Sequence, residues 1–503
     1  MINLREHFKL SAIYTIFAVF PALLQLIVLP LIEGEARLGA TDFGYLAITE
    51  VIISLVFLIC TFGMGGGIAR FYYDYKDDKE GYNHLVSSIL NGIIGRGLLL
   101  MGIVLVAGQF VGRLFPVAPL QDFHEYGHVL VIAGFNRSVI ATLLVLYRNE
   151  KRLRAFIVVS LSSAILRSAF QLGGVFLYDL SFLGYIYGTA TGGAIVSFSL
   201  AVYTYFKCGF HYKRSILKSI NQFAGPLFIT EFLYWGLLFS DRFFLLNSPD
   251  QLGIYDNALK FAVGIQMILQ GLTGAAQPEI FRYMKDGSIK RSSDIRTLCN
   301  LYIAEATGLI ALLILPVMVF ISLFYETELT LSSGLIGIIF IRFILRAQYQ
   351  VFSWPLLYRK KTTLFIFINI TVLAINLGIN WLITPVIGYY GAIIAFLFAY
   401  TVQIAGLKIL QNRLAPISYN DIKTFYFPLG IVFFAALLEL IKFKVSGEPF
   451  LFSSILVSVI FAGLFFIYRG ELKKILSTLL PKLSNYLTST YYRDLNDPVN
   501  GSR

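Results

Sequence analysis

Apolar stretches of about 20 residues recur from one end of this 503-residue chain to the other, and that recurrence leaves few folds open. A helix needs about 20 mostly apolar residues to cross the hydrocarbon of a bilayer. In lipid a spanning backbone must satisfy its own hydrogen bonds, so such runs are read as helices. About fourteen can be counted: 10–32, 44–68, 85–111, 127–147, 155–177, 183–206, 222–246, 253–278, 298–323, 334–357, 364–384, 390–410, 425–441 and 450–468. With 57% of residues hydrophobic and 14% charged, the several soluble domains that length alone would suggest are excluded. The chain is read as an all-α polytopic membrane protein with about 14 transmembrane helices. Its start, "MINLREHFKL", runs into an apolar stretch too long for a signal-peptide core and is read as an uncleaved first span.

The basic residues then orient it. With the N-terminus inside, thirty of the 41 lysines and arginines fall on inner loops and the tail, and only Arg37, Arg113, Lys442 and Lys444 fall outside. The positive-inside rule therefore predicts that both termini face the cytoplasm. The net charge of +12 is a topology signal, and no nucleic-acid partner is expected. Cys60, Cys208 and Cys299 lie in spans or on the inner side and imply no disulfide framework. His124 and His128, with Asp122 and Glu125 beside them, are read as an interfacial polar turn, and no metal or other cofactor is expected. The outer loops are too short to carry the acids and histidines of a membrane-embedded polymerase, ligase or protease, and no Walker motif is present. The expectation is a non-enzyme.

The chain also repeats itself. Shifted by 209 residues, Gly44 meets Gly253, Lys76 meets Lys285, Asp77 meets Asp286, Asn91 meets Asn300, and Leu114 and Phe115 meet Leu323 and Phe324. "LYR" at 146–148 returns at 357–359, and Pro21 has a counterpart in Pro226. Six spans, an even number, separate the copies, so the two halves are parallel. Parallel repeats about an axis along the membrane normal belong to alternating-access transporters, with the site between the halves. The expected organisation is a six-helix lobe at 1–218, a second at 219–412, two extra helices at 413–468 and a cytoplasmic tail at 469–503. In that tail, "YRGELKKILSTLLPKLSNYL" is expected to lie on the membrane surface.

Two further stretches carry a resemblance. "DFGYLAITEVIISLVFLICTFGMGGGIARFYYDY" at 42–75 resembles the second-span region of bacterial polysaccharide repeat-unit flippases, where a glycine-rich helix end runs into an Arg-Phe-Tyr segment. "SDRFFL" at 240–245 resembles their seventh span. Together with the six-plus-six topology, these make the chain resemble the multidrug/oligosaccharidyl-lipid/polysaccharide (MOP) exporter superfamily. The resemblance implies a flippase of the bacterial cytoplasmic membrane. Its substrate would be a polyprenyl-pyrophosphate-linked oligosaccharide, moved to the outer leaflet for a surface polysaccharide such as O antigen, lipopolysaccharide or exopolysaccharide. Membrane lipids and other surface-polysaccharide assembly proteins are the implied partners. A peptidoglycan-precursor flippase, a multidrug exporter of the same superfamily and a membrane polymerase or ligase are the rival readings.

Charges inside the spans supply the candidate site. A cation at the centre of a bilayer helix costs at least about 2.5–3.5 kcal/mol, so it is retained for a reason. Arg96, Arg137 and Arg167 fall near the middle of the third, fourth and fifth spans. Lys260, Arg342 and Arg346 add to them, the last two four residues apart on one helix face. Guanidinium engages phosphate bidentately, so these six are expected to line a cationic cavity that holds the pyrophosphate. The competing expectation is structural pairing, of Glu50 with Arg96 and of Asp241 with Lys260. Glu231 and Asp241 are candidates for coupling to H+ or Na+, Asp241 alternatively pairing with Arg242 or Lys260. Gly63, Gly65, Gly66 and Gly67, followed by Arg70, suit either close helix approach or a gate. Pro21, Pro30 and Pro226 are expected to kink the first and seventh spans.

Overall fold

The computed structural model describes residues 4–178, 181–287, 291–359, 361, 363–445 and 448–471. Among them the regular structure is helical, with one isolated bridge between Glu33 and Leu38. In chain order the helices are α1 (Leu4–Ile32), α2 (Ala40–Thr61), α3 (Met64–Tyr75), α4 (Lys79–Gly112), the single turn α5 (Ala118–Gln121), α6 (Phe123–Asn149), α7 (Leu153–Tyr178) and α8 (Ser181–Cys208). They continue with α9 (Arg214–Phe244), α10 (Pro249–Lys285), α11 (Ser292–Phe324), α12 (Ile336–Tyr358), α13 (Thr363–Ile387), α14 (Tyr389–Leu414), α15 (Phe427–Val445) and α16 (Pro449–Ile467). Thirteen helical spans among the described residues are long and apolar enough to cross a membrane, and α1 carries a shorter apolar stretch over Ile16–Ile32. This is the polytopic helical architecture expected from the apolar runs. The tail expected on the membrane surface lies, beyond Glu471, outside the described residues.

One expected span carries a break. The run 44–68 is not a single helix, because Phe62 and Gly63 adopt φ of 44° and 68° and break the chain between α2 and α3. Phe62 N–H still closes on the Leu58 carbonyl, so α2 ends with a left-handed cap. Gly63 meets the left-handed requirement at no steric cost, and a Cβ there would also stand 2.9 Å from the Ala224 carbonyl of α9. The glycines that follow keep the crossing close: a Cβ on Gly66 would meet Leu227, and one on Gly67 would meet Ile220, at 3.0 and 2.8 Å. Pro21 and Pro30 lie inside a continuous α1, and Pro226 inside a continuous α9.

Packing divides the described residues into two compact units, one within 4–267, 317–339 and 363–403, the other within 268–316, 340–361 and 404–471. In the first, Val56 and Cys60 of α2, Met64 and Ile68 of α3, Ile89 and Ile93 of α4, Leu143 and Leu146 of α6 and Ile220 of α9 form a buried apolar cluster. Polar side chains tie its connections. Asp78 caps α4 by accepting from Glu80 N–H at 3.1 Å. The buried Glu33 carboxylate accepts from the Glu326 and Thr327 N–H groups at 3.0 and 2.6 Å, at the entry to the 3-10 segment Glu328–Leu335.

In the second unit, Trp354 is fully buried and packs edge-on against Tyr302 with ring centroids 5.0 Å apart. A π-helical turn, Ile422–Tyr426, leads into α15. Such a turn displaces backbone carbonyls from the regular ladder. Here Gln348 of α12 donates its amide to the Thr424 and Phe425 carbonyls at 3.0 and 3.1 Å, so the irregularity is satisfied in the interior.

Candidate functional site

Within the first unit, α1, α2, α6, α7, α8 and α10 wall a cavity of about 410 Å³. Close backbone approach makes it possible. Gly134 of α6 leaves no room for a side chain against α2, where a Cβ would stand 2.6 Å from Val56 and 2.7 Å from the Ile53 carbonyl. Ser138, one turn on, donates to the Phe57 carbonyl at 3.1 Å and fixes the same contact. Arg137 of α6 and Glu50 of α2 thereby share one wall. On the other side Gly192 of α8 lies against the backbone of Arg167, with a Cβ position 2.7 Å from its Cα. Asn136 bridges α6 to α8, donating to the Ala190 carbonyl at 3.0 Å and accepting from Ser197 Oγ at 2.6 Å. Small residues and polar bridges are how helices approach closely in lipid.

Three of the six expected cations line this cavity: Arg137, Arg167 and Lys260. Their partners differ. Arg137 donates to Glu50 Oε1 at 2.7 Å and lies over the Phe57 ring. Lys260 stands 3.2 Å from Asp256 Oδ2 and 4.9 Å from the centre of the Phe43 ring. Arg167 reaches Gln25 Oε1 at 3.4 Å, and Gln25 in turn donates to the Tyr185 hydroxyl at 2.7 Å. Among the described residues no carboxylate pairs with Arg167, and its Nε is buried with no hydrogen-bond partner. A guanidinium so placed keeps charge and donor capacity for an anion.

The other expected site residues are placed differently. Arg96 is not among the lining residues of this cavity. It donates to the Cys60 carbonyl at 3.3 Å and to Asn221 Oδ1 at 2.7 Å, and lies over the Phe62 ring, tying α4 to the end of α2 and to α9. The expected Glu50–Arg96 pair is therefore corrected: Glu50 pairs with Arg137, because α6 and not α4 is held against that face of α2. Arg342 and Arg346 belong to the second unit, on α12, with guanidiniums over Phe343 and Tyr349.

The expected Asp241–Lys260 pair is also replaced. Asp241 accepts from the Tyr255 hydroxyl at 2.6 Å and from Arg242 Nη1 at 3.2 Å. Arg242 reaches Asp256 at 2.7 Å, and it is Asp256 that meets Lys260. The reason is the turn between α9 and α10, which brings Tyr255 and Asp256 back beside the end of α9. Glu231 is exposed on α9 and has, among the described residues, no hydrogen bond or ion pair. Gly65, Gly66 and Gly67 lie in the first turn of α3, where a Cβ on Gly65 would meet Val145 at 3.9 Å, and Arg70 pairs with Asp74 at 2.7 Å in the same helix.

Sequence reading overlooked the neutral polar wall. Gln25, Asn136, Ser163, Ser168 and Thr189 line the cavity beside the charges. Gln25 carried a usable signal, a lone amide in the apolar run of α1. Serines and threonines carried none, since many return their hydroxyls to their own helix.

A family model described as polysaccharide biosynthesis protein matches residues 36–334. No curated protein matches the chain. Among solved structures, the lipid II flippase MurJ in an inward closed conformation is similar with a TM-score of 0.68 at 16% identity, over 91% of this chain and 99% of that one. An inward-facing multidrug resistance MATE family transporter of the MOP superfamily is similar with a TM-score of 0.62 at 14% identity, over 78% and 94%. A MOP superfamily transporter from Pyrococcus furiosus Vc1, described by the reverse polarity of its binding pocket, is similar with a TM-score of 0.53 at 15% identity, over 80% and 94%. The chain belongs to the polysaccharide biosynthesis protein family, and its fold is that of the MurJ and MATE transporters of the MOP superfamily.

Proposed function

We propose that this protein is a flippase that moves a polyprenyl-pyrophosphate-linked oligosaccharide from the inner to the outer leaflet by alternating access. The observation that carries the reading is Arg167, a cavity-lining guanidinium with no carboxylate partner and a buried, unused Nε among the described residues. A pyrophosphate supplies the missing anion, and its paired oxygens suit the guanidinium fork. Arg137 and Lys260 extend the positive field, while Gln25, Asn136, Ser163, Ser168 and Thr189 offer hydrogen bonds to sugar hydroxyls. The prenyl chain stays in the bilayer. Arg342 and Arg346 of α12 are further cations assigned to the substrate, and an H+ or Na+ gradient supplies the energy.

The family match to polysaccharide biosynthesis supports a surface glycan as cargo, in the cytoplasmic membrane of a bacterium with both termini inside. A peptidoglycan-precursor flippase is the second reading, favoured by the likeness to MurJ. A multidrug exporter of organic cations fits less well, because the free cavity charge is positive.

The test is a strain lacking the gene, with lipid-linked oligosaccharides quantified by mass spectrometry and assigned to a membrane face. A finished repeat unit held on the inner leaflet, with loss of a surface glycan, supports the proposal and identifies the cargo. Retained peptidoglycan precursor would select the second reading. Unchanged lipid-linked pools, with no other flippase in the host, would overturn both.

A further inference from the structure

A ladder of rings runs from the end of α2 along α9. Phe62 stacks on Phe228 with ring centres 4.6 Å apart, and Phe232, Trp235 and Phe239 follow at steps of 6.1, 5.7 and 6.0 Å. Successive ring planes differ by no more than 37°. Guanidiniums lie over both ends, Arg96 over Phe62 and Arg242 over Phe239. Positions 228, 232, 235 and 239 recur at helical spacing, so one face of α9 carries rings over about 16 Å.

Packing alone does not account for this face. Phe232 is 43% exposed. Beside it Glu231 is exposed and has, among the described residues, no hydrogen bond or ion pair. Glu231 lies three residues past Phe228 and four before Trp235, which makes these two its neighbours on the helix surface. A carboxylate within a span is kept where it meets protein or water rather than lipid. This one meets no protein partner among the described residues, so its side of α9 faces water. Rings and an acceptor carboxylate on one wet face are the chemistry that binds sugars. The C–H face of a pyranose stacks on a ring, and the hydroxyls at its edge donate to the carboxylate.

The cavity supplies a second reason. Its volume of about 410 Å³ stands toward the lower end of the range for drug-sized ligands, about 300–1,000 Å³. It has room for a diphosphate and the sugar next to it, and a longer glycan must extend beyond it. The ladder adjoins it: Trp235 donates its indole N–H to Ser54 Oγ at 2.8 Å, and Ser54 follows Ile53, which lines the cavity.

We propose that the α9 ladder is a carbohydrate-binding strip for the distal sugars of the substrate, with Phe232 and Trp235 as stacking platforms and Glu231 as the acceptor for sugar hydroxyls. The inference rests on the flippase reading and deepens it by naming where the glycan is held. It assigns Glu231 to the glycan instead of to a coupling ion. Each ring contact is weak and indifferent to which hydroxyls a sugar carries, so a glycan can pass from ring to ring without a deep trap.

The experiment uses the full chain in detergent and two competitors of radiolabelled farnesyl diphosphate: the lipid-linked oligosaccharide purified from the host, and undecaprenyl diphosphate, the carrier without sugar. The wild type is expected to bind the sugar-bearing ligand more tightly. Phe232→Ala and Glu231→Gln should each weaken that ligand by about 3- to 30-fold and leave the sugar-free one unchanged. Arg167→Ala should weaken both. Equal affinity of the wild type for the two ligands, or variants with no loss selective for the sugar-bearing one, would overturn the inference while leaving the cavity reading intact. No binding of farnesyl diphosphate by the wild type would overturn the cavity reading itself. Tryptophan emission of the unmutated chain gives a readout independent of variant stability: it is expected to change with the sugar-bearing ligand and not with the sugar-free one, and the same emission with both overturns the inference.

Discussion

Gly44 of α2 and Gly253 of α10 pack backbone to backbone: a Cβ on Gly253 would stand 2.9 Å from Gly44 N and 1.9 Å from the Ala40 carbonyl. A Cβ on Gly44 would likewise stand 2.0 Å from the Pro249 carbonyl. These are the two glycines that coincide when the sequence is shifted on itself by 209 residues. Residues related by a two-fold axis touch each other only close to that axis, so this crossing is where such an axis would run.

Replacing either glycine by alanine forces a methyl into backbone that has no rotamer to yield. Gly44→Ala and Gly253→Ala are each expected to cost about 1–3 kcal/mol, the range for overpacking. Thermal unfolding in detergent measures it. Gly95→Ala, in mid-helix with nothing within 4 Å of its Cβ position, is the matched control and is expected to unfold at or above the wild-type temperature.

Two arginines of the first half, Arg167 and Arg96, are expected to separate by readout. Arg167→Ala removes charge-assisted hydrogen bonds to the ligand and should weaken farnesyl diphosphate binding by about 1.5–3 kcal/mol, roughly 10- to 150-fold in Kd. Arg167→Lys keeps the charge but not the fork, and should recover only part of it. Arg96→Lys replaces the planar fork that spans the Cys60 carbonyl and Asn221 by a single ammonium, so it should lower stability while leaving the affinity of the folded fraction unchanged. Equal loss of affinity at both positions would place Arg96 in the site as well.

The sequence made these charges visible and left their pairing open. Apolar runs reveal spans because the bilayer admits few alternatives, and a midplane arginine stands out against them. Which acid meets which base depends on which helices cross and at what height. Gly134 sets Arg137 against Glu50, and the tight turn after α9 brings Arg242 to Asp256, whose pairing with Lys260 is the one contact here that four-residue helical spacing makes local. The break at Phe62–Gly63 was hidden for a related reason. A glycine cluster permits both close approach and left-handed backbone, and the neighbour that decides between them, Ala224, lies 161 positions away.

Glu33 invites a direct test, since its carboxylate holds the backbone N–H groups of Glu326 and Thr327 far along the chain. Glu33→Gln keeps the shape but leaves a single neutral acceptor for the two donors. The loss should resemble that of a helix N-cap, about 0.5–2 kcal/mol. Unfolding in detergent would report it, and an unchanged stability would mean that other acceptors take over both N–H groups.

Glu471, just past α16, gives a prediction with a definite pH sign. Burial pushes its carboxyl up, but the hydrogen bonds from Lys423, at 2.6 and 2.8 Å, and from Asn300, at 2.9 Å, outweigh that and hold it below the ordinary glutamate value. A depressed carboxyl contributes stability that is present above its unfolded-state value and is lost as pH falls through the folded one. Wild type and Glu471→Gln should therefore differ in stability by a constant amount at neutral pH, since the amide stands for the protonated acid. The difference should shrink as pH drops below about 4.5 and vanish in stronger acid. Unfolding midpoints of the two proteins across that window decide it, and a difference that persists in acid would mean that the ion pair with Lys423 is not its source.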